Sequence, residues 1–215
     1  MPEMTLRDAM FSLRAMRRLR PDPVPEEDLR FLIEAATQAP NGENQQNWRF
    51  VVVQDADQRR RIGEAYQELA ANSVRPVVDG EAGEKLPESE RFIYGNAWRL
   101  AQRIGDAPAL IFFCVKGPIP DDRAWGATYY GSIFPAAQNL MLAARSRGLG
   151  SVLTTLHLLD EKPFREILAL PEGVNTIALI PVGYPEGKFG PPLRDPASTV
   201  THWDRWNDES PSNLS

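Results

Sequence analysis

Four arginines crowd one short stretch of the chain, Arg14, Arg17, Arg18 and Arg20 in RAMRRLRPDP, just after a run of helical character and just before a rigid proline turn. A phosphate monoester is a compact double anion best held by forked guanidinium groups, and several arginines at one helix end can converge on it. An ordinary solvated basic face is the other reading. Arg14 and either Arg17 or Arg18 are the better candidates for an anion, because Arg20 has Asp22 and Glu26 close by as ion-pair partners. Asn44 and Gln46 follow in the loop that opens Pro40, Asn41, Gly42. Their amides give and accept hydrogen bonds at once, as the edge of a flavin or a pyrimidine requires; equally, they could satisfy the backbone of their own loop. Trp48 reads as a core anchor for the strand that follows.

Other chemistries are poorly served. GLGSVL lacks the third glycine of a dinucleotide fingerprint and precedes a strand, and no Walker lysine motif is present. There is no GxSxG elbow and no Cys/His nucleophilic pairing. Cys114 is the only cysteine and lies in the apolar run PALIFFCV, so it reads as a buried core thiol with no intrachain disulfide. With His157 and His202 as the only histidines, no metal centre is expected. No catalytic side chain is expected either: the chemistry must fall to an organic cofactor or to very few residues.

The elements that would position these groups follow from periodicity. Thr5 and Asp8 form a capping-box pattern, and Leu6, Ala9, Met10, Leu13 and Met16 recur at helical spacing, so the first helix should run into the basic cluster. Leu29, Leu32, Ile33 and Ala36 mark a second helix ending before Pro40. RFVVVQ reads as a buried strand, Asp55 as the cap of a third helix, and residues 72–92, rich in proline, glycine and acids, as a mobile loop or lid. A helix through RFIYGNAWRLAQRI, the strand PALIFFCV and a long helix around GSIFPAAQNLMLAARSR come next. That last helix is apolar nearly all round, as in helices buried on more than one side within a large core or between subunits. SVLTTL and TIALIPVGY read as strands around a short helix capped at Asp160. The extension at residues 185–215 is poor in core residues yet carries Phe189, Trp203 and Trp206, which suggests packing on a partner subunit.

Bulk properties agree with one globular domain of 215 residues. Hydrophobic residues make up 42%, and Lys plus Arg number 24 against 29 Asp plus Glu, a net charge of -5. No global positive field draws nucleic acid or an acidic membrane. No apolar stretch approaches the roughly 20 residues of a membrane-spanning helix, and a cytoplasmic protein is expected.

Four segments in order, RAMRRLRPDPVP, AATQAPNGENQQNWRFVVV, AAQNLMLAARSRGLGSVLTT and IPVGYPEGKFGPPLRDP, resemble the nitroreductase family of FMN enzymes over nearly the whole chain. The resemblance implies an α+β fold with a central mixed β-sheet flanked by helices. It also implies an intertwined homodimer with FMN at the subunit interface, held by residues of both chains. Arg14 and Arg17, with Arg18 close by, match the basic segment near the flavin phosphate and pyrimidine edge, and Arg194 matches a late arginine at the phosphate. Asn41, Asn44 and Gln46 match the loop that meets the ring system, with Asn41 where serine is common and Asn47 where proline is common. Leu13 and Ala15 replace an arginine and a serine, so one phosphate contact is missing or supplied elsewhere. Thr154 and Thr155 match the segment lining the flavin near N5. The implied activity is hydride transfer from NADH or NADPH through FMN to a small electron-poor acceptor, a nitroaromatic, a quinone or similar, in a ping-pong cycle. The alternatives are a reductive dehalogenase or flavin-cleaving enzyme of the same fold, or a flavin-binding protein without turnover.

Overall fold

The computed structural model describes residues 4–206. Its centre is a sheet of β1 (Trp48–Val53), β2 (Ala109–Lys116), β3 (Gly150–Ser151) and β4 (Val174–Gly183), in the order β1-β2-β4-β3. Around it lie α1 (Leu6–Ser12), α2 (Glu26–Thr37), α3 (Ala56–Ser73), α4 (Arg75–Asp79), α5 (Glu81–Glu84), α6 (Glu88–Arg103), α7 (Arg123–Ser146) and α8 (Lys162–Ile167). The architecture is α+β, as the resemblance implies. The pairings within the sheet are all antiparallel, so the mixed sheet is not formed among the described residues.

The apolar run of β2 is explained by two cores rather than one. Successive side chains on a strand point to opposite faces, and β2 is buried on both. Ala109, Ile111, Phe113 and Val115 pack with α2 and α7, whereas Leu110, Phe112 and Cys114 pack with α3, α6 and α8. Burial pushes the Cys114 thiol up to about 12, so it stays protonated in the core as expected. β1, at the sheet edge, buries only its ends, Trp48 and Val53, and is therefore half-buried where the sequence suggested a buried strand.

The helix signals operate largely as written. Thr5 and Asp8 complete their capping box, Asp55 accepts from the Gln58 N–H at 2.9 Å, and Asp122 accepts from Ala124 and Trp125 at the start of α7. Gly148, at φ +73°, closes that helix in a conformation favouring glycine. α8 begins after Glu161, while the expected cap, Asp160, still accepts from the Lys162 N–H at 3.1 Å.

Two expectations are corrected. α1 stops at Ser12, before the basic cluster, and residues 13–20 are extended. Their backbone is used elsewhere: Met16 N–H donates to Ser151 O at 2.9 Å, and Arg20 N–H to Tyr184 O at 2.7 Å. Residues 72–92 are mostly helical, spanning the end of α3, all of α4 and α5, and the start of α6. Pro76 and Pro87 sit at helix starts, where a missing N–H costs nothing. Within the single chain α7 buries one face and leaves Tyr130 and Phe134 each 38% exposed on the other. The extension from Pro185 has only a short 3-10 turn, Ala197–Val200, and leaves Trp206 exposed; residues 207–215 lie outside the described residues. Among the described residues no helix is long and apolar enough to cross a membrane, and no cluster of three or more His, Cys, Asp or Glu could hold a metal.

His157 is wholly buried, its ring edge-on to Phe112 and Phe164 at 5.6 and 5.7 Å, with no hydrogen-bond partner at either nitrogen. Burial pushes its pKa down to about 4, against a weaker upward pull from Glu161. The folded chain therefore binds this proton more weakly than the unfolded chain. The associated stability is present above pH 6.5 and is lost as the pH falls toward 4. Urea unfolding at pH 7 and pH 4.5 should show that His157→Leu removes roughly 2 to 3 kcal/mol of the acid loss; an unchanged pH profile would refute this.

Candidate functional site

The extended segment 13–20 lies along the start of the C-terminal extension. Glu186 N–H donates to Arg18 O at 3.0 Å, Leu19 pairs with Pro185, and Arg14 Nη2 donates to Lys188 O at 2.7 Å. The consequence is that arginines from both ends of the sequence meet. Arg14, Arg17 and Arg194 line a cleft of about 570 Å³ whose other walls include Leu13, Gln138 and Leu153. The same three arginines line an adjoining cleft of about 490 Å³, to which Arg18, Phe92 and Asn96 are added.

Among the described residues none of Arg14, Arg17, Arg18 or Arg194 has a carboxylate within 4.0 Å. Arg20 is different: it pairs with Asp22 at 3.5 Å, stacks over Tyr184, and lines neither cleft. Arg17 is half-buried, and burial lowers its pKa from the ordinary guanidinium value, yet an arginine remains cationic. Four guanidiniums thus gather around two joined clefts, Arg17 half-buried and Arg14, Arg18 and Arg194 exposed.

The remaining candidates lie apart from this cluster. Asn41 Oδ1 accepts from the Gln46 N–H at 2.9 Å, and Gln46 Nε2 donates to Asn44 Oδ1 at 3.2 Å, so in the single chain the loop satisfies itself. Glu43, Asn44 and Gln46 all have φ near +50°, a region that strains non-glycine residues. The loop borders a separate hollow of about 310 Å³ with Lys116 and Trp125. Thr154 shares a hydrogen bond of 2.6 Å with the Tyr66 hydroxyl, its backbone pairs with Leu179, and neither it nor the exposed Thr155 lines an arginine cleft. Burial raises the Tyr66 pKa, opposed by Thr154 and by Arg17.

Sequence reasoning overlooked Gln138, Ser151, Phe92 and Asn96. Ser151 is 1% exposed, lines the larger cleft, and its Oγ has no partner. A serine opening a buried strand was the available signal. Gln138, the one amide among small and apolar residues on its face of α7, was another.

A model of the nitroreductase family matches residues 12–184, which include the basic segment, the Asn/Gln loop and both threonines. The chain belongs to the nitroreductase family. It is 31% identical over 206 residues to a Thermus thermophilus protein named NADH dehydrogenase, covering 94% of this chain and 98% of that one. It is 32% identical over 176 residues to an iodotyrosine deiodinase of Thermotoga neapolitana, covering 80% and 84%. A solved iodotyrosine deiodinase bound to FMN and 3-iodo-L-tyrosine is 25% identical, with a TM-score of 0.69 over 89% of this nitroreductase-family chain and 96% of its own. FMN is thus the cofactor seen in the family's structures.

The unpaired cluster predicts that Arg17→Ala weakens binding of a phosphate monoester such as FMN by about 10- to 100-fold, the loss expected of one charged hydrogen-bonding group. Arg20→Ala, whose guanidinium is already paired, should leave the dissociation constant within about twofold. Fluorescence titration of both variants decides it; equal effects would remove the distinction.

Proposed function

We propose that this chain is an FMN-dependent oxidoreductase that moves hydride from NADH or NADPH to a small electron-poor acceptor, a nitroaromatic, a quinone or a related conjugated compound, as a homodimer. The observation that carries the reading is the set of arginines lining one cleft without carboxylate partners. That donor set fits a flavin mononucleotide: guanidiniums for the phosphate beside a largely apolar wall of Leu13, Val152 and Leu153 for a flat ring. The buried, unpartnered Ser151 hydroxyl on the same wall supplies a polar group awaiting a partner.

In this reading Arg14, Arg17 and Arg194 bind and orient the phosphate end, Arg18 stands beside them, and the apolar wall excludes water. When bound, FMN supplies the redox chemistry, taking hydride from the reduced nicotinamide and passing it to the acceptor at the same position in turn. No side chain has to act as nucleophile or general base. Asn41, Asn44 and Gln46 line neither arginine cleft of their own chain, so if they serve the same site they do so from a second copy. Apolar side chains left exposed on α1 and α7 support that copy: Leu6, Met10 and Phe11 on one, Tyr130 and Phe134 on the other. Thr154 and Thr155 line neither cleft, and the Thr154 hydroxyl, tied to Tyr66, fixes the segment that carries both.

A reductive dehalogenase is the second reading, favoured by the likeness to the Thermotoga neapolitana deiodinase. Purified protein should be yellow, should retain or take up FMN, and should consume NADH or NADPH faster when a nitroaromatic or quinone is added. Iodide release from 3-iodotyrosine without quinone or nitroaromatic turnover would favour the second reading, and a colourless protein that cannot be reconstituted with FMN would defeat both.

A further inference from the structure

We propose that the cleft on the Arg18 side is a subsite for the diphosphate and adenine of the dinucleotide reductant. The inference rests on the oxidoreductase reading above, and extends it from the nicotinamide ring to the other half of the molecule.

Charge is the first argument. A flavin phosphate carries up to two negative charges, which two forked guanidiniums balance. Arg14, Arg17, Arg18 and Arg194 bring four positive charges to the two joined clefts, none offset by a carboxylate within 4.0 Å among the described residues. The surplus matches the two negative charges of a diphosphate diester. Arg18, which lines only the second cleft, is the cation least needed by a ligand in the first.

Glu186, whose N–H bonds the Arg18 carbonyl, does not pair with the Arg18 guanidinium. Glu186 is bonded instead to Arg103, Nη2 to Oε1 at 2.8 Å, and that bond is the main cause of its lowered pKa, with Arg18 a lesser one. Gly187, the next residue, leaves room as well: a Cβ built there would meet nothing nearer than Arg18 Nη2 at 3.8 Å. The Arg18 guanidinium therefore faces space large enough for a ligand, in a cleft of about 490 Å³.

Chemistry across from the arginines is the second argument. Phe92, in the first turns of α6, is 67% exposed, and Asn96 lies four residues later on the same helix face; both line the cleft. Asn96 accepts from Arg99 Nη1 at 3.3 Å through Oδ1, which leaves its amide N–H groups to donate. An aromatic platform, an amide donor and a strip of guanidiniums suit a purine joined to a diphosphate. Base stacking on an aromatic side chain is lost on substitution by alanine. Because this half of the subsite is built from α6 and the extended segment that carries Arg18, no dinucleotide fingerprint is needed in the sequence.

The test uses the FMN-loaded protein, wild type and Phe92→Ala, an exposed position whose truncation leaves the core intact. ADP-ribose is titrated by calorimetry, and steady-state rates are measured with NADH, with NADPH and with 1-benzyl-1,4-dihydronicotinamide, which carries the reacting ring without diphosphate or adenine. We expect ADP-ribose to bind the wild type and to bind Phe92→Ala about tenfold more weakly. The KM for the dinucleotide should rise about tenfold, with kcat and the benzyl compound's kcat/KM unchanged. Arg18→Ala should act in the same direction and make dinucleotide binding less sensitive to salt. The subsite is overturned if ADP-ribose does not bind, or if both reductants lose efficiency equally. If every reductant is consumed and neither variant discriminates among them, the subsite fails and the oxidoreductase reading stands. If no reductant is consumed although ADP-ribose binds and Phe92→Ala weakens it, the subsite stands and the oxidoreductase reading fails.

Discussion

Two backbone hydrogen bonds, Arg20 N–H to Tyr184 O and Glu186 N–H to Arg18 O, splice the N-terminal basic segment to the start of the C-terminal extension. Each is worth about 1 kcal/mol net, yet the geometry of every arginine in the site descends from them. With residues 18–20 fixed beside residues 184–186, Arg14 reaches the carbonyl of Lys188, and Arg194 faces the same cleft as Arg17. Met16 and Leu19 are buried on the inner side, so the segment is anchored by apolar packing as well as by its backbone. Arg145 adds a further clamp: its Nε donates to Ser12 Oγ at 2.9 Å and its guanidinium lies 4.0 Å from the centre of the Phe189 ring. One side chain thus ties the end of α1 to the extension that carries Arg194.

Such an arrangement has an electrostatic cost. Like charges around one space repel, although solvent screens the exposed Arg14, Arg18 and Arg194. The rest of the chain is acidic, with a net charge of -5, so opposite charges were available nearby. Asp22 is spent on Arg20, Glu186 on Arg103, and Asp28 lies against Arg147. Cations kept apart from carboxylates that could have quenched them are most simply understood as awaiting an anion from outside the chain.

What the sequence made legible was local. The Thr5 and Asp8 capping box and the Asp55 cap depend on neighbours within a turn, and they were readable for that reason. The extended course of residues 13–20 was not, because its hydrogen-bond partners lie at Ser151 and Tyr184, far along the chain. Residues 72–92 misled through composition: proline, glycine and acids mark loops, but they also open helices, and Pro76, Pro87 and Glu88 do so here. At the site, the arginines were legible by type, whereas Ser151 and Phe92 required the fold. Neither carries a charge or a motif; one is defined by an unmet hydroxyl, the other by exposure beside a cleft.

The two sides of the site also differ in how much reorganisation they demand. The arginine side is assembled within one chain, on backbone that is already hydrogen-bonded, and needs little rearrangement to receive an anion. The Asn41–Gln46 side is occupied with itself, and its amides must exchange internal bonds of 2.9 and 3.2 Å before serving a ligand. Those bonds are exposed to solvent, so the exchange costs little, and the left-handed backbone at Glu43, Asn44 and Gln46 already stores energy that rearrangement can release. Under the proposed function, affinity for the phosphate falls to the arginine side, and selectivity among acceptors to the adaptable loop in which Asn41 and Asn47 set this chain's own character.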